Sequence, residues 1–325
     1  MSTVKEYWMN KKENEERAKT HTDAMQRLYA KEIADCVSHT RTYHSVSDFF
    51  PFSGITYGSP DVVVDDISTV DAIAKYMNGH TAVLNFASYK EPGGKFLEGS
   101  MAQEESLCHA SFLYNVLSQC PEYYRWNNEH KKRGLYENRA LYSPRVRFFH
   151  GRNTYVADVI TCAAPNLSAA RKYCAVLPEE NRKVLNSRVQ FLLDVAEREK
   201  VDTLILGAWG CGVFGQDPEE VAYTFKNNLP KRNIRKVVFA IPAGNNKNFE
   251  TFNKVFNPKQ DSFQGKRDPY KVKMIDIMLE NMANDEYFNA QLCSSETKNI
   301  NLDDNALRVL RAYYEGKELN IKERG

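Results

Sequence analysis

The chain lacks any apolar run approaching the roughly 18 residues that a membrane-spanning helix needs, and it has no N-terminal apolar core of signal-peptide type. A membrane-embedded or exported protein is therefore not expected. It also lacks Cys-x-x-Cys spacing and any Cys/His ligand cluster; its seven cysteines (Cys36, Cys108, Cys120, Cys162, Cys174, Cys211, Cys293) are scattered and odd in number. That excludes a zinc-ribbon or disulfide framework, points to no metal and no cofactor, and makes the cytoplasm, with its reduced thiols, the expected compartment. Charge of one sign is missing as well. Forty-four Lys and Arg against 42 Asp and Glu leave +2, which excludes a non-specific nucleic-acid binder.

What is present is the pattern of an α/β protein. At 325 residues the chain can bury a sizeable core, as one large domain plus a small appendage. Residues 1–19 form a highly charged segment, read as a solvated helix or frayed terminus. Periodic apolar positions predict helices over 20–39, 68–78, from near Ala102 through Leu117, 186–199, 218–229 and 248–255. Short apolar runs predict strands at 62–67, 81–87, 146–149, 155–163, 201–206 and 237–241. Residues 121–134, rich in tyrosine, read as an irregular segment whose aromatics pack rather than stack a base. This alternation implies a mostly parallel or mixed sheet covered by helices on both faces. Residues 20–258 form the main domain, 259–269 a linker, and 270–325 a small C-terminal helical appendage with helices at 272–282 and 305–314.

The stretch 84–114 carries the strongest chemical signal. A buried strand ends in Pro92-Gly93-Gly94, and a helix follows with Gln103, Glu104 and Glu105 in its first turn. Glycines let backbone N–H groups approach an anion, and the helix start adds positive potential. Two adjacent carboxyl groups beside such a cleft make an acid/base pair with coupled titration, one member being raised by its neighbour and by a bound diphosphate. Acidic residues in a first helical turn also serve the helix dipole alone, and a lone Gly-Gly is commonly a turn. A second strand, glycine loop and helix recurs at Gly207–Gln216, so two loops could clamp one diphosphate. Cys211 lies in that loop with no partner histidine and reads as a small buried thiol.

The spacing Gly93-Gly94-Lys95, seven residues, then Gln103-Glu104-Glu105 resembles the signature of poly(ADP-ribose) glycohydrolases, with lysine in place of the third glycine. Together with Leu84-Asn85-Phe86-Ala87, Ala164-Pro165-Asn166 and the 207–214 loop, it is similar to the microbial type of that family, over roughly residues 20–257. The resemblance implies an α/β macrodomain-like mixed sheet with ADP-ribose held at the strand ends. It implies that Glu105 is the catalytic acid and Glu104 positions the ribose. Asn85, Gly93 and Gly94 would then lie at the distal ribose, Gly210, Cys211, Gly212, Val213 and Gly215 at the diphosphate, and Phe214 against the terminal ribose, with Gln103 also among the residues binding ADP-ribose.

The reaction implied is hydrolysis of a ribose glycosidic bond. Protonated Glu105 would serve the leaving oxygen and, once ionised, activate water. Lys95 would either hold the diphosphate or point to solvent. The expected partners are ADP-ribose, poly(ADP-ribose) and ADP-ribosylated proteins, with nucleic acid a partner only where it is itself ADP-ribosylated. Two other readings stay open: a module that binds ADP-ribose without cleaving it, and a hydrolase for mono-ADP-ribose.

Overall fold

The computed structural model describes residues 11–44, 58–230, 232–244 and 247–258. The expected linker at 259–269 and helical appendage at 270–325 lie outside these residues. Among the described residues seven strands form one mixed sheet, β1 (Arg41–His44), β2 (Asp61–Asp65), β3 (Thr81–Phe86), β4 (Arg139–His150), β5 (Asn153–Cys162), β6 (Thr203–Leu206) and β7 (Lys236–Ala240), in the order β1-β4-β5-β3-β6-β7-β2. Strands β5, β3, β6, β7 and β2 are parallel, whereas β4 runs antiparallel to β5 and to β1. The helices are α1 (Lys11–His39), α2 (Thr69–Tyr76), α3 (Gln103–His109), α4 (Leu113–Leu117), α5 (Pro121–Glu129), α6 (Leu167–Cys174), α7 (Pro178–Arg198), α8 (Pro218–Asn228) and α9 (Asn248–Phe256).

The two-residue alternation of the strands explains why helices cover both faces. Ala82, Leu84, Ile160, Leu204, Val237 and Phe239 point to one side and pack with α7, α8 and α9. Val83, Val159, Ile205 and Val238 point to the other and pack with α1, α2, α3, α4 and α5. The parallel strands read as continuous apolar runs because both of their faces are buried.

Several elements differ from expectation. Helix α1 begins at Lys11, and Asn14 and Ala18 are buried within it, so residues 11–19 are part of a packed helix. The predicted helix through Leu117 breaks after His109 and restarts at Leu113. Strand β4 spans twelve residues, not four; Pro144 sits at a one-residue bulge between Ser143 and Val146, a position that tolerates proline but looks like a strand end in sequence. Residues 121–129, expected to be irregular, form α5 with proline at its first position, and Tyr123 and Tyr124 are buried, as packing aromatics should be. Helix α6 was also unforeseen; it is capped by Asn166, whose side chain accepts from Ala169 N at 3.0 Å.

Phe239 lies at the centre of an aromatic cluster with Phe225, Phe252 and Phe256 and is fully buried. Phe239→Ala should lower the unfolding free energy by about 3–5 kcal/mol, measured by urea denaturation.

Candidate active site

A cleft of about 760 Å³ opens at the C-terminal ends of the parallel strands, lined by Phe86 and Ala240 at the ends of β3 and β7 and by Ala164 and Ala208 just past β5 and β6. Its volume lies within the roughly 300–1,000 Å³ typical of small-molecule sites. The first wall is α3 with the loop that follows β3. Pairing of β3 with β6 stops at Val83 and Ile205, and the Gln103 side chain continues it: its Oε1 accepts from Phe86 N at 2.8 Å and its Nε2 donates to Leu84 O at 2.9 Å. Gln103 thus pins the start of α3 to the end of β3. Its amide also reaches Thr69 Oγ1 at 3.3 Å, so its polar atoms serve the wall although the residue lines the cleft.

This pin buries both following carboxyl groups; Glu104 is 3% and Glu105 6% exposed. Both Glu104 oxygens are occupied, Oε1 by Asn85 Nδ2 at 3.0 Å and Oε2 by Ser88 N at 2.7 Å. Burial still dominates and pushes the Glu104 carboxyl up to about 8, against the hydrogen bonds from Ser88 and Asn85, with the adjacent Glu105 charge adding to the rise. Glu105 is held differently. Its Oε1 accepts from Lys95 N at 2.9 Å, and its Oε2 makes no hydrogen bond among the described residues.

The glycine loop makes this approach possible. Gly94 has φ +60°, and a Cβ there would lie 2.7 Å from Glu105 Oε1 and 2.9 Å from Glu104 Oε2. One point beside the loop is therefore within 2.9 Å of an oxygen of each carboxyl group. Gly93, φ +66°, packs outward, where a Cβ would strike the Tyr114 ring at 2.7 Å. Lys95 occupies ordinary backbone, φ −105°, so the third position of the triplet does not demand glycine. Its side chain is 65% exposed and pairs with Glu98 at 3.0 Å, the solvent alternative of the two expected for it.

The second wall is the 207–216 loop. Trp209, fully buried, donates from Nε1 to Cys162 O at 3.2 Å, and Gln216 donates from Nε2 to Pro165 O at 2.8 Å. These bonds fasten the loop base to the end of β5. At the tip, the N–H groups of Gly212, Val213 and Phe214 have no hydrogen-bond partner among the described residues, and all three residues line the cleft. Consecutive unpaired amides suit an anion. The first amides of α8 are already used, because Asp217 Oδ1 accepts from Glu219 N and Glu220 N.

Of the residues named from sequence, Gly94, Gln103, Glu104, Glu105, Gly210, Gly212, Val213 and Phe214 line one cleft. Asn85, Gly93, Cys211 and Gly215 stand behind its walls. Asn85 is fully buried beneath Glu104, and Gly215 is pressed against Ser168. Cys211 packs on the core, where burial pushes its thiol well up, in keeping with a small buried thiol.

Sequence reasoning named Phe214 but missed the two tyrosines that complete its aromatic wall. Tyr89 and Tyr136 stack at 4.1 Å, Phe214 meets Tyr136 edge-on at 6.2 Å, and all three line the cleft. It also missed Arg188, fully buried on α7, which donates to Ala163 O, Leu135 O and Asn138 Oδ1 and so joins the end of β5 to the loop bearing Tyr136. No cluster of three or more His, Cys, Asp or Glu side chains arranged to hold a metal ion occurs among the described residues. None of the described helices is long and apolar enough to cross a membrane.

Two buried carboxyl groups and a row of free amides thus line one cleft at the strand ends of a mixed sheet. Residues 10–151 match the family model described as the microbial-type PARG catalytic domain, PARG being poly(ADP-ribose) glycohydrolase. The chain is similar to the crystal structure of poly(ADP-ribose) glycohydrolase from Thermomonospora curvata, with 28% identity, TM-score 0.69, and 75% of this chain and 99% of that one covered. The same enzyme bound to the inhibitor ADP-HPD matches at 29% identity and TM-score 0.67, over 74% and 98%. The Deinococcus radiodurans enzyme in complex with ADP-ribose matches at 29% identity and TM-score 0.61, over 69% and 96%. No curated protein matches the chain. The resemblance read from the glycine and glutamate spacing is thereby borne out: the chain is similar to poly(ADP-ribose) glycohydrolases in the catalytic-domain model over residues 10–151 and in fold.

Glu104 ionises at the ordinary carboxylate value once unfolded, so its raised value in the fold makes ionisation cost stability as pH rises from about 4.5 to about 8. The wild type should lose melting temperature between about pH 5 and pH 9, and Glu104→Gln should lose less, as read by scanning calorimetry.

Proposed function

We propose that this cleft hydrolyses the ribose glycosidic bonds of poly(ADP-ribose) and releases ADP-ribose, with Glu105 as general acid and base. One observation carries the choice of glutamate. Both oxygens of Glu104 are engaged by the protein, whereas Glu105 has one oxygen fixed by Lys95 N and the other without a partner among the described residues. A general acid needs a fixed orientation and a free oxygen within reach of the leaving group. Glu105 gives its proton to the leaving ribose oxygen as the glycosidic bond breaks and positive charge develops at the anomeric carbon. The ionised carboxylate then takes a proton from the attacking water, whose oxygen bonds to that carbon, and Glu105 is regenerated. Glu104, kept protonated by burial, holds the ribose hydroxyl groups.

The diphosphate is assigned to the amides of Gly212, Val213 and Phe214, and its negative charge would help stabilise the developing positive charge. Phe214 and the Tyr136 and Tyr89 stack supply an apolar wall for the sugar and base. Relatives crystallised with ADP-ribose and with ADP-HPD support a ligand of this class. On this reading the chain is a macrodomain-superfamily enzyme whose main domain includes the packed residues from Lys11 and runs to about residue 258, acting in the cytoplasm on ADP-ribosylated proteins. The six described cysteines, all free, accord with a reducing compartment.

The test is release of ADP-ribose from purified polymer. Glu105→Gln should reduce release by about 10²–10⁴-fold, the usual worth of a general acid, while free ADP-ribose still binds in calorimetry. Lys95→Gly should change the rate by less than about threefold, because the side chain points to solvent and its N–H is retained. Full activity in Glu105→Gln would sink the assignment, and a wild type that binds ADP-ribose but releases none would be a reader.

A further inference from the structure

The cleft wall that carries Tyr136 continues onto an outer surface that the proposed chemistry does not use. A short 3₁₀ turn, Lys132–Gly134, packs on α6: Asn166 N donates to Gly134 O at 2.9 Å, and a Cβ on Gly134 would lie 3.2 Å from Ala170 N. The turn is strained, with Lys132 at φ 41°, Arg133 at φ 53° and Tyr136 at φ 62°, none of them glycine. Such strain persists where surrounding packing enforces it and is concentrated at ligand-holding segments.

This strained turn presents Lys131 and Lys132 to solvent beside Tyr136. On α6, Ala169 lines the cleft, and Lys172 and Tyr173 follow it by three and four residues, on the same helix face. Tyr173 is 73% exposed, with Lys172 Nζ 5.1 Å from its ring centroid. Arg133 is already paired with Glu180. Lys131, Lys132, Arg171 and Lys172, in contrast, have no carboxylate within ion-pair distance among the described residues. Cations near a helix C-terminus also complement the helix dipole, which accounts for Arg171 and Lys172 in the last turn of α6 and for Lys131 just past the cap of α5, but not for Lys132.

We propose that this basic lip is a second nucleotide subsite, in which Lys131, Lys132 and Lys172 hold the diphosphate of the polymer unit outside the cleft and Tyr173 stacks its adenine. The inference rests on the hydrolase reading above, which places one ADP-ribose unit in the cleft and leaves the rest of a polyanionic chain to exit past its rim. Lysines and an exposed aromatic, interleaved, are what a sequence-independent site for stacked bases and phosphates requires.

The experiment compares wild type with Lys131→Glu/Lys132→Glu/Lys172→Glu and with Tyr173→Ala, on size-fractionated long polymer and on the two-unit oligomer, at several salt concentrations. For the triple variant, KM on long polymer should rise about tenfold with kcat unchanged, and the slope of log affinity against log salt should flatten by about 0.7 for each lysine engaged. Tyr173→Ala should weaken long-polymer binding about fivefold or more. Calorimetric binding of free ADP-ribose should stay at the wild-type value in both, which also reports that they fold. Wild-type KM and salt slope in the triple variant, with hydrolysis intact, would overturn the lip and leave the hydrolase standing. If the wild type hydrolyses nothing yet binds labelled long polymer, and the triple variant loses that binding, the lip stands and the hydrolase reading falls.

Discussion

Two carboxyl groups side by side and removed from water are costly unless each finds hydrogen-bond donors, and that requirement organises the active end of the molecule. Asn85 Nδ2 and the backbone N–H groups of Ser88 and Lys95 supply the donors. For the loop amides to come this close, the backbone must pass Gly94 in a left-handed conformation with no Cβ between it and the carboxyl oxygens. For α3 to present the pair at all, its first turn must be pinned to β3, which Gln103 does by taking the place of a neighbouring strand. The outcome is an asymmetric pair, one group fully engaged and one half free, made from two chemically identical side chains.

The opposite wall obeys a different constraint. It must expose amides to a ligand without losing its own shape, so its base is fastened and its tip is not. Trp209, Gln216 and Arg188 all bond backbone carbonyls near the end of β5, tying the second glycine loop, α7 and the Tyr136 loop to one strand end. A guanidinium buried among neutral carbonyls stays solvated by those oxygens, so its removal would orphan several acceptors at once. The tip, Gly212–Phe214, is left with amides that nothing among the described residues uses. Preorganised dipoles of this kind need no rearrangement when charge develops. Because Asp217 caps α8, the unpaired amides of this region belong to the loop and not to the helix that follows it.

Local pattern revealed more of the parallel core than of its flanks. Strands buried on both faces write their burial directly into sequence as apolar runs, so β3, β5, β6 and β7 were legible to within a few residues. Strand β1 was not, being four residues at the sheet edge with one buried position. Helix α5 was hidden because its buried side chains are Tyr123, Tyr124 and Asn127, which do not register as an apolar stripe. Helix α6 was hidden behind Pro165, and the length of β4 behind Pro144, where a proline that ordinarily ends an element sits at a cap or a bulge.

The chemistry divides in the same way. Glycine placement and the run Gln103-Glu104-Glu105 were enough to specify two loops, an acid pair and the family they resemble, because spacing along a chain constrains what a strand, a turn and a helix start can bring together. Tertiary packing decided what spacing cannot encode: which glutamate keeps a free oxygen, that Asn85 stands beneath the cleft floor, that Lys95 faces water, and that Tyr89, Tyr136 and Arg188 complete the far wall. Those outcomes depend on contacts between residues far apart in sequence, and on the desolvation that only closure of the sheet, helices and loops around the pair produces.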